Sequence, residues 1–138
     1  MTVFPQRIVV GYDGSESARQ ALERVVDVAG DGASVVLVTA AESLYSEPWS
    51  RQVDPHEVER RDGTLSSGRD FLEERGIAAT TVPAIGDPAE AILAAAREAK
   101  ADLIFVGRRG QSLVARLALG SVSTKVVQQS EQAVLVAR

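Results

Sequence analysis

The stretch Gly107 to Thr124, GRRGQSLVARLALGSVST, decides how this chain is folded. It follows Leu103 to Val106, a short apolar run that reads as a buried strand. It closes on Gly120-Ser-Val-Ser-Thr124, which reads as the start of a helix. Between the two lie glycines, the pair Arg108 and Arg109, and a hydroxyl at Ser112. Glycine lets main chain come close to a ligand and adopt positive φ. The first turn of a helix offers N–H groups without intrahelical partners and the positive end of the helix dipole. Arginines add charge and forked donors. Strand, anion-holding loop and helix are therefore expected in that order, with the phosphates of a nucleotide as the anion.

The chain upstream repeats the strand-then-helix pattern. Arg7 to Tyr12 is a short apolar run suited to a strand buried on both faces, and it ends in Asp13-Gly14-Ser15. Ser15 is placed to cap a helix whose Ala18, Ala21, Leu22, Val25, Val26 and Ala29 recur at spacings of three and four, before Gly30 stops it. Ser34 to Ala40 reads as a second buried strand, rich in β-branched residues. Glu42 to Asp54 shows no period and reads as a long loop. Pro55 to Arg75 is highly charged, with a thin apolar stripe at Val58, Leu65, Phe71 and Leu72; a helix is expected there, although Gly63 and Gly68 weaken it and its start is not fixed by the sequence. His56 falls in this segment and is assigned no role.

Ile77 to Val82 reads as a third, weaker strand. Asp87-Pro88-Ala89-Glu90 is a helix start, with Asp87 as N-cap, Pro88 at the first helical position and Glu90 where a capping-box partner sits. Strand four is Leu103 to Val106, the last helix Ser121 to Gln129, and strand five Ala133 to Ala137. Strands alternating with helices imply one parallel sheet covered on both faces, with right-handed crossovers. Ligands of such sheets bind beyond the carboxyl ends of the strands, where the strand order reverses. Asp13 and Gly107 meet over one crevice if strands one and four are neighbours, a relation these patterns leave open.

Composition narrows the chemistry. A chain of 138 residues suits a single domain, 1–138, with a core of its own. It has no cysteine and one histidine, which excludes disulfides and thiolate metal sites and disfavours a Ser-His hydrolase. A net charge of −4 and 4% aromatic residues argue against nucleic acid as a partner. No apolar run approaches the ~20 residues of a membrane span. The start MTVFPQR lacks the apolar core of a signal peptide, so a cytoplasmic location is expected. There is neither a Walker A sequence nor a G-x-G-x-x-G.

Written as Gly107-x2-Gly110-x9-Gly120-Ser121, the loop closely resembles the nucleotide-binding signature of the universal stress protein family. Ile8-Val-Val-Gly-Tyr-Asp-Gly-Ser15 resembles the family's first strand and turn, and Gly120 to Val127 with Ala133 to Val136 its last helix and strand, so the likeness covers nearly the whole chain. The resemblance implies a five-stranded parallel sheet of order 3-2-1-4-5, of the Rossmann-like, adenine nucleotide alpha hydrolase-like kind. It implies binding of ATP, with Mg2+ accompanying it. Asp13 would contact the adenosine, Gly11 and Tyr12 would flank the ribose side, and Ala40 would line the base pocket. Val106 and Gly107 would pack against the nucleoside. Arg109, Gly110, Gly120, Ser121, Val122 and Ser123 would surround the phosphates. It also implies a homodimer through the strand at 133–137, and a regulatory protein of the stress response rather than a catalyst.

Two other functions are compatible with these residues. One is a slow ATPase or nucleotidyl transferase on the same scaffold, though Asp13-Gly14-Ser15-Glu16 lacks the Ser-Gly-Gly loop of related adenine-binding enzymes and no general base is evident. The other is a nucleotide-free dimeric interaction module, since an apolar edge strand invites pairing. ATP is not distinguished from ADP or AMP, and neither the protein partner nor the stress signal is legible.

Overall fold

A computed structural model describes residues 6–41, 52–108 and 120–137. The described elements alternate as β1 (Arg7–Gly11), α1 (Glu16–Val28), β2 (Ser34–Ala41), α2 (Pro55–Glu73), β3 (Ala78–Ile85), α3 (Pro88–Ala99), β4 (Leu103–Gly107), α4 (Ser121–Gln129) and β5 (Ala133–Ala137). All strand pairs are parallel and the order is β3-β2-β1-β4-β5. β1 is the centre of the sheet. Its Ile8 stands beside Val35 of β2 on one side and Leu103 of β4 on the other.

Period two sorts the strand side chains into two cores. Ile8, Val10, Val35, Leu37 and Phe105 pack with Ala18, Leu22 and Val25 of α1 and with Leu65 and Leu72 of α2. Val9, Val38, Ile104 and Val106 pack with Ile92 and the small alanines of α3 and with Val126 of α4. Because both faces are covered, the consecutive residues Ile8, Val9 and Val10 of β1 are all buried, which is why its sequence is a continuous apolar run rather than an alternating one.

Helix starts follow the sequence. Ser15 Oγ accepts from Ala18 N–H, and Asp87 accepts from Glu90 N–H with Pro88 in the first turn. Glu90 has a further partner outside its own cap: its carboxylate lies 3.3 Å from Lys125 Nζ, which also meets Asp87 at 2.8 Å. The undecided start of α2 falls at Asp54, whose side chain accepts from His56 N–H, and the helix runs through both glycines. Gly68 has a packing reason: a Cβ there would stand 3.0 Å from Leu37 and from the Tyr12 ring. Gly63 has none, since a Cβ there meets nothing within 4 Å, yet a glycine inside a helix costs about 0.5–1 kcal/mol relative to alanine. β3 continues past the expected Val82 to Ile85. As an edge strand it tolerates Pro83, whose missing N–H removes nothing essential from the ladder.

The pairing of β1 with β4 is fixed at its amino end by Asp102. Its carboxylate accepts from the N–H groups of Gln6, at 3.0 Å, and Arg7, at 2.9 Å, while its own N–H donates to the Arg7 carbonyl at 2.8 Å. Hydrogen bonds from the Arg7 and Gln6 amides hold this carboxyl below the usual aspartate value. A lowered folded value means the clip stabilises fully above the ordinary aspartate range and loses that contribution as pH falls through the lowered value. Asp102→Ala removes the acceptor of two amides at a solvent-exposed position and should lower unfolding free energy at neutral pH by less than about 1 kcal/mol. Urea midpoints at pH 7 and pH 3 should show the gap between the two proteins narrowing in acid.

Candidate functional site

β1 and β4 are neighbours, but the helices that follow them leave in opposite directions. α1 packs in the core layer with Ile8 and Val10, and α4 in the layer with Val9 and Ile104. The chain therefore parts at the carboxyl ends of β1 and β4 and leaves a crevice between two loops, at the reversal of strand order. The neighbour relation that the sequence left open is supplied by the register Ile8 to Leu103, Val9 to Ile104 and Val10 to Phe105.

The first wall of the crevice is the turn after β1. Tyr12 N–H donates to the Val38 carbonyl at 2.9 Å, and the buried Thr39 hydroxyl donates to the Tyr12 carbonyl. Asp13 is half-buried and its Oδ1 accepts from Ser15 N–H at 2.9 Å, while Gly14 takes φ +77°, where a side chain would be strained. The Asp13 carboxylate is thus held at the start of α1 by the chain itself. Thr39 is a positioning residue that sequence reading missed; a threonine inside an apolar strand gives no sign that its hydroxyl fixes a neighbouring turn. Ala40 follows at the end of β2, half-buried and paired with Ala84 of β3.

The second wall is the base of the glycine loop. Arg108 N–H donates to the Ala137 carbonyl at 2.9 Å, extending the β4–β5 ladder by one bond. The Arg108 carbonyl then accepts from Gly120 N–H at 2.8 Å and from the Ser123 hydroxyl at 3.0 Å. The Ser123 hydroxyl also lies 3.0 Å from the Gly120 carbonyl, and the residue is 2% exposed. Its side chain therefore serves the loop base from within. Ser121 is exposed and Val122 half-buried at the tip of α4. Arg109 and Gly110 lie outside the described residues.

Two of the expected glycines have packing reasons. A Cβ on Gly11 would overlap Ile92 Cδ1 of α3. A Cβ on Gly107 would stand 2.6 Å from Ser17 Oγ and 3.0 Å from the Ser17 carbonyl carbon, so this glycine lets α1 lie against the end of β4. Val106 is 3% exposed and its side chain belongs to the core, which leaves only its main chain to face a ligand. Gly120 differs. Its φ of −67° and ψ of 165° are open to any residue, so its backbone does not demand glycine.

Electrostatics single out the same helix tip. α1, α2 and α3 each begin with a side-chain cap from Ser15, Asp54 or Asp87, and each carries a glutamate in its first turn. α4 begins at Gly120 with no side-chain cap bond and no acid in its first turn. Lys125 is occupied elsewhere: its bond to Asp87 raises its ammonium above the ordinary lysine value and ties α4 to the start of α3. Among the described residues no three His, Cys, Asp or Glu gather as a metal site, and no helix is long and apolar enough to cross a membrane.

Ser123→Ala should cost about 1 kcal/mol, because the single buried hydroxyl hydrogen that the Arg108 and Gly120 carbonyls share is lost while each keeps an amide donor. Hydrogen exchange of the Gly120 amide should accelerate more than that of β1 amides, and denaturation should stay cooperative.

The chain matches the model of the universal stress protein family over residues 5–138. It is 35% identical over 141 residues to the Thermus aquaticus universal stress protein in QAH/OAS sulfhydrylase 3′ region, covering 95% of this chain and 97% of that one. It is 32% identical over 145 residues to the universal stress protein YxiE of Bacillus subtilis, covering 96% and 98%. Among solved structures, a universal stress protein in complex with cAMP superposes with a TM-score of 0.74 at 31% identity, over 98% of each chain. By sequence and by fold, the chain belongs to the universal stress protein family.

Proposed function

We propose that this protein binds an adenine nucleotide, ATP in the first place, and acts as a cytoplasmic regulatory protein of the stress response. One observation carries the reading. The tip of α4, the helix that follows β4, has a bare glycine N-cap, no competing side-chain cap and no acid in the first turn. Such a tip favours an anion through its N–H groups and the helix dipole. Each contact of that kind contributes about 0.3–1 kcal/mol, or ~2 when partly buried, so several must act together to reach micromolar affinity, near −8 kcal/mol. The related structure with cAMP supports an adenine nucleotide as the ligand class.

In this reading the main chain of Gly120, Ser121 and Val122 holds the phosphates, completed by Arg109 and Gly110 from the loop. Ser123 keeps the loop base closed. Asp13 takes the ribose hydroxyls, flanked by Gly11 and Tyr12. Ala40 lines the base pocket, and Val106 and Gly107 contribute main chain beneath the nucleoside. Mg2+ accompanies ATP on its phosphate oxygens. The edge position of β5 supports a homodimer through residues 133–137.

The Gly110→Val, Gly120→Val double variant should remain folded and lose nucleotide affinity by at least about 100-fold, several helix-tip contacts being removed at once. Calorimetric titration with ATP, ADP, AMP and cAMP checks this, alongside denaturation to confirm folding. Unchanged affinity would overturn the site. Phosphate release measured with and without Mg2+ separates a binding protein from an ATPase.

A further inference from the structure

The hydroxyl of Thr39 stands out from the strand that carries it. Along β2, Val35 and Leu37 face the core under α1 and α2, and Val36 and Val38 face the core under α3 and α4. Thr39 continues the first row by period two. A valine there would suit a strand as well and would need no hydrogen-bond partner. Among the described residues the buried polar side chains are those of Thr39 and Ser123. Ser123 serves the base of the glycine loop. Thr39 is its counterpart on the other wall of the crevice, where its hydroxyl donates to the Tyr12 carbonyl.

That bond holds the peptide that leads into Asp13. Tyr12 is already pinned at two places. Its N–H donates to the Val38 carbonyl at 2.9 Å, and its ring is buried in the core, where a Cβ on Gly68 would stand 3.0 Å from it. Neither contact fixes the rotation about the Cα–C bond of Tyr12. The Thr39 hydroxyl does, because it holds the carbonyl. The Tyr12 carbonyl and the Asp13 nitrogen share one planar peptide, so the same bond sets the direction in which Asp13 leaves the sheet. On the far side, the Asp13 carboxylate accepts from Ser15 N–H at 2.9 Å. The carboxylate is therefore placed from upstream by Thr39 and from downstream by Ser15.

We propose that Thr39 is a positioning residue that sets the sugar specificity of the nucleotide site. Through Tyr12 it aims Asp13 at the ribose hydroxyls, and so governs how strongly a ribonucleotide is preferred over a nucleotide whose sugar lacks them. The proposal rests on the reading above in which Asp13 takes those hydroxyls. A carboxylate accepts from sugar hydroxyls in charge-assisted bonds whose strength depends on distance and angle. A rotation of the Tyr12–Asp13 peptide takes the carboxylate off that geometry. It leaves the α4 tip in place, because the base of the glycine loop is held by Ser123 and not by Thr39. Reading the sugar and holding the phosphates are thus separable.

The probes are ATP and 2′,3′-dideoxy-ATP, titrated by calorimetry into the wild type, Thr39→Val and Thr39→Ser. The wild type should prefer ATP. Thr39→Val should bind ATP at least about tenfold more weakly, the loss expected for charge-assisted bonds, and should bind the dideoxy nucleotide as the wild type does. Thr39→Ser keeps the hydroxyl and should restore the preference. A merely structural role would weaken both nucleotides together. Without ligand, exchange of the Ser15 amide should be faster in Thr39→Val than in the wild type and in Thr39→Ser. Urea denaturation confirms folding, and Thr39→Ala replaces Thr39→Val in every reading if the valine variant does not unfold cooperatively. The proposal alone is overturned if the preference for ATP survives loss of the hydroxyl, if both nucleotides weaken equally, if serine does not restore the preference, or if Ser15 exchange is unchanged. Equal affinity of the wild type for both probes would overturn it together with the assignment of Asp13 to the sugar, and would leave nucleotide binding standing. A wild type that binds neither would overturn the nucleotide reading itself, and this role of Thr39 with it.

Discussion

The burial of β1 on every side is the constraint from which the rest of the molecule follows. It is bonded to β2 along one edge and β4 along the other. One face is covered by α1 and α2, the other by α3 and α4. A strand so enclosed has no freedom to shift register, because a slip of one residue would exchange the two cores. The carboxyl end of β1 is therefore a fixed point, and the turn from Tyr12 to Ser15 inherits that precision. Asp102 fixes the amino end of the same strand pair, so β1 and β4 are clamped along their length.

Glycine carries different meanings in this fold, and only the coordinates separate them. Gly11 and Gly107 sit in the part of the chain that resembles a ligand motif, yet each is explained by a neighbour, Ile92 for one and Ser17 for the other. Gly14 is explained by its positive φ. Gly120 is explained by neither conformation nor a side-chain cap, and it stands at the helix tip that carries no acid. Packing glycines near the crevice still matter to it indirectly. Gly107 allows α1 to approach the end of β4, which brings the Asp13–Ser15 turn and the base of the glycine loop together.

The strands and the helix caps were legible because their physics is local. A doubly covered strand is an unbroken apolar run, and Ser15 and Asp87 cap helices through bonds three residues long in sequence. The start of α2 was not legible, because its burial rests on few residues, Leu65, Gly68 and Leu72 among them, and a glycine that packs against Tyr12 resembles one that breaks a helix. The length of β3 was hidden for the opposite reason: an edge strand half open to solvent needs no apolar pattern, and Pro83 reads as a terminator. Of the site, the glycine positions and Asp13 were readable as a pattern. The roles of Thr39 and Ser123 were not, since each depends on a carbonyl brought near by the fold, at Tyr12 and at Arg108.

The base of the glycine loop is closed by the protein's own groups. Arg108 continues the β4–β5 ladder through Ala137, and its carbonyl receives both the Gly120 amide and the Ser123 hydroxyl. Lys125 holds the following turn to Asp87 and Glu90 at the start of α3. The α4 tip is thus oriented before any ligand arrives. A ligand then needs no free energy to assemble the anchor, and ordering costs that would otherwise weaken binding are already met in folding. Glu16, Glu57 and Glu90 stand in the first turns of α1, α2 and α3, which also have side-chain caps, whereas the α4 tip has neither cap nor acid, the arrangement that suits an anion in the proposed function.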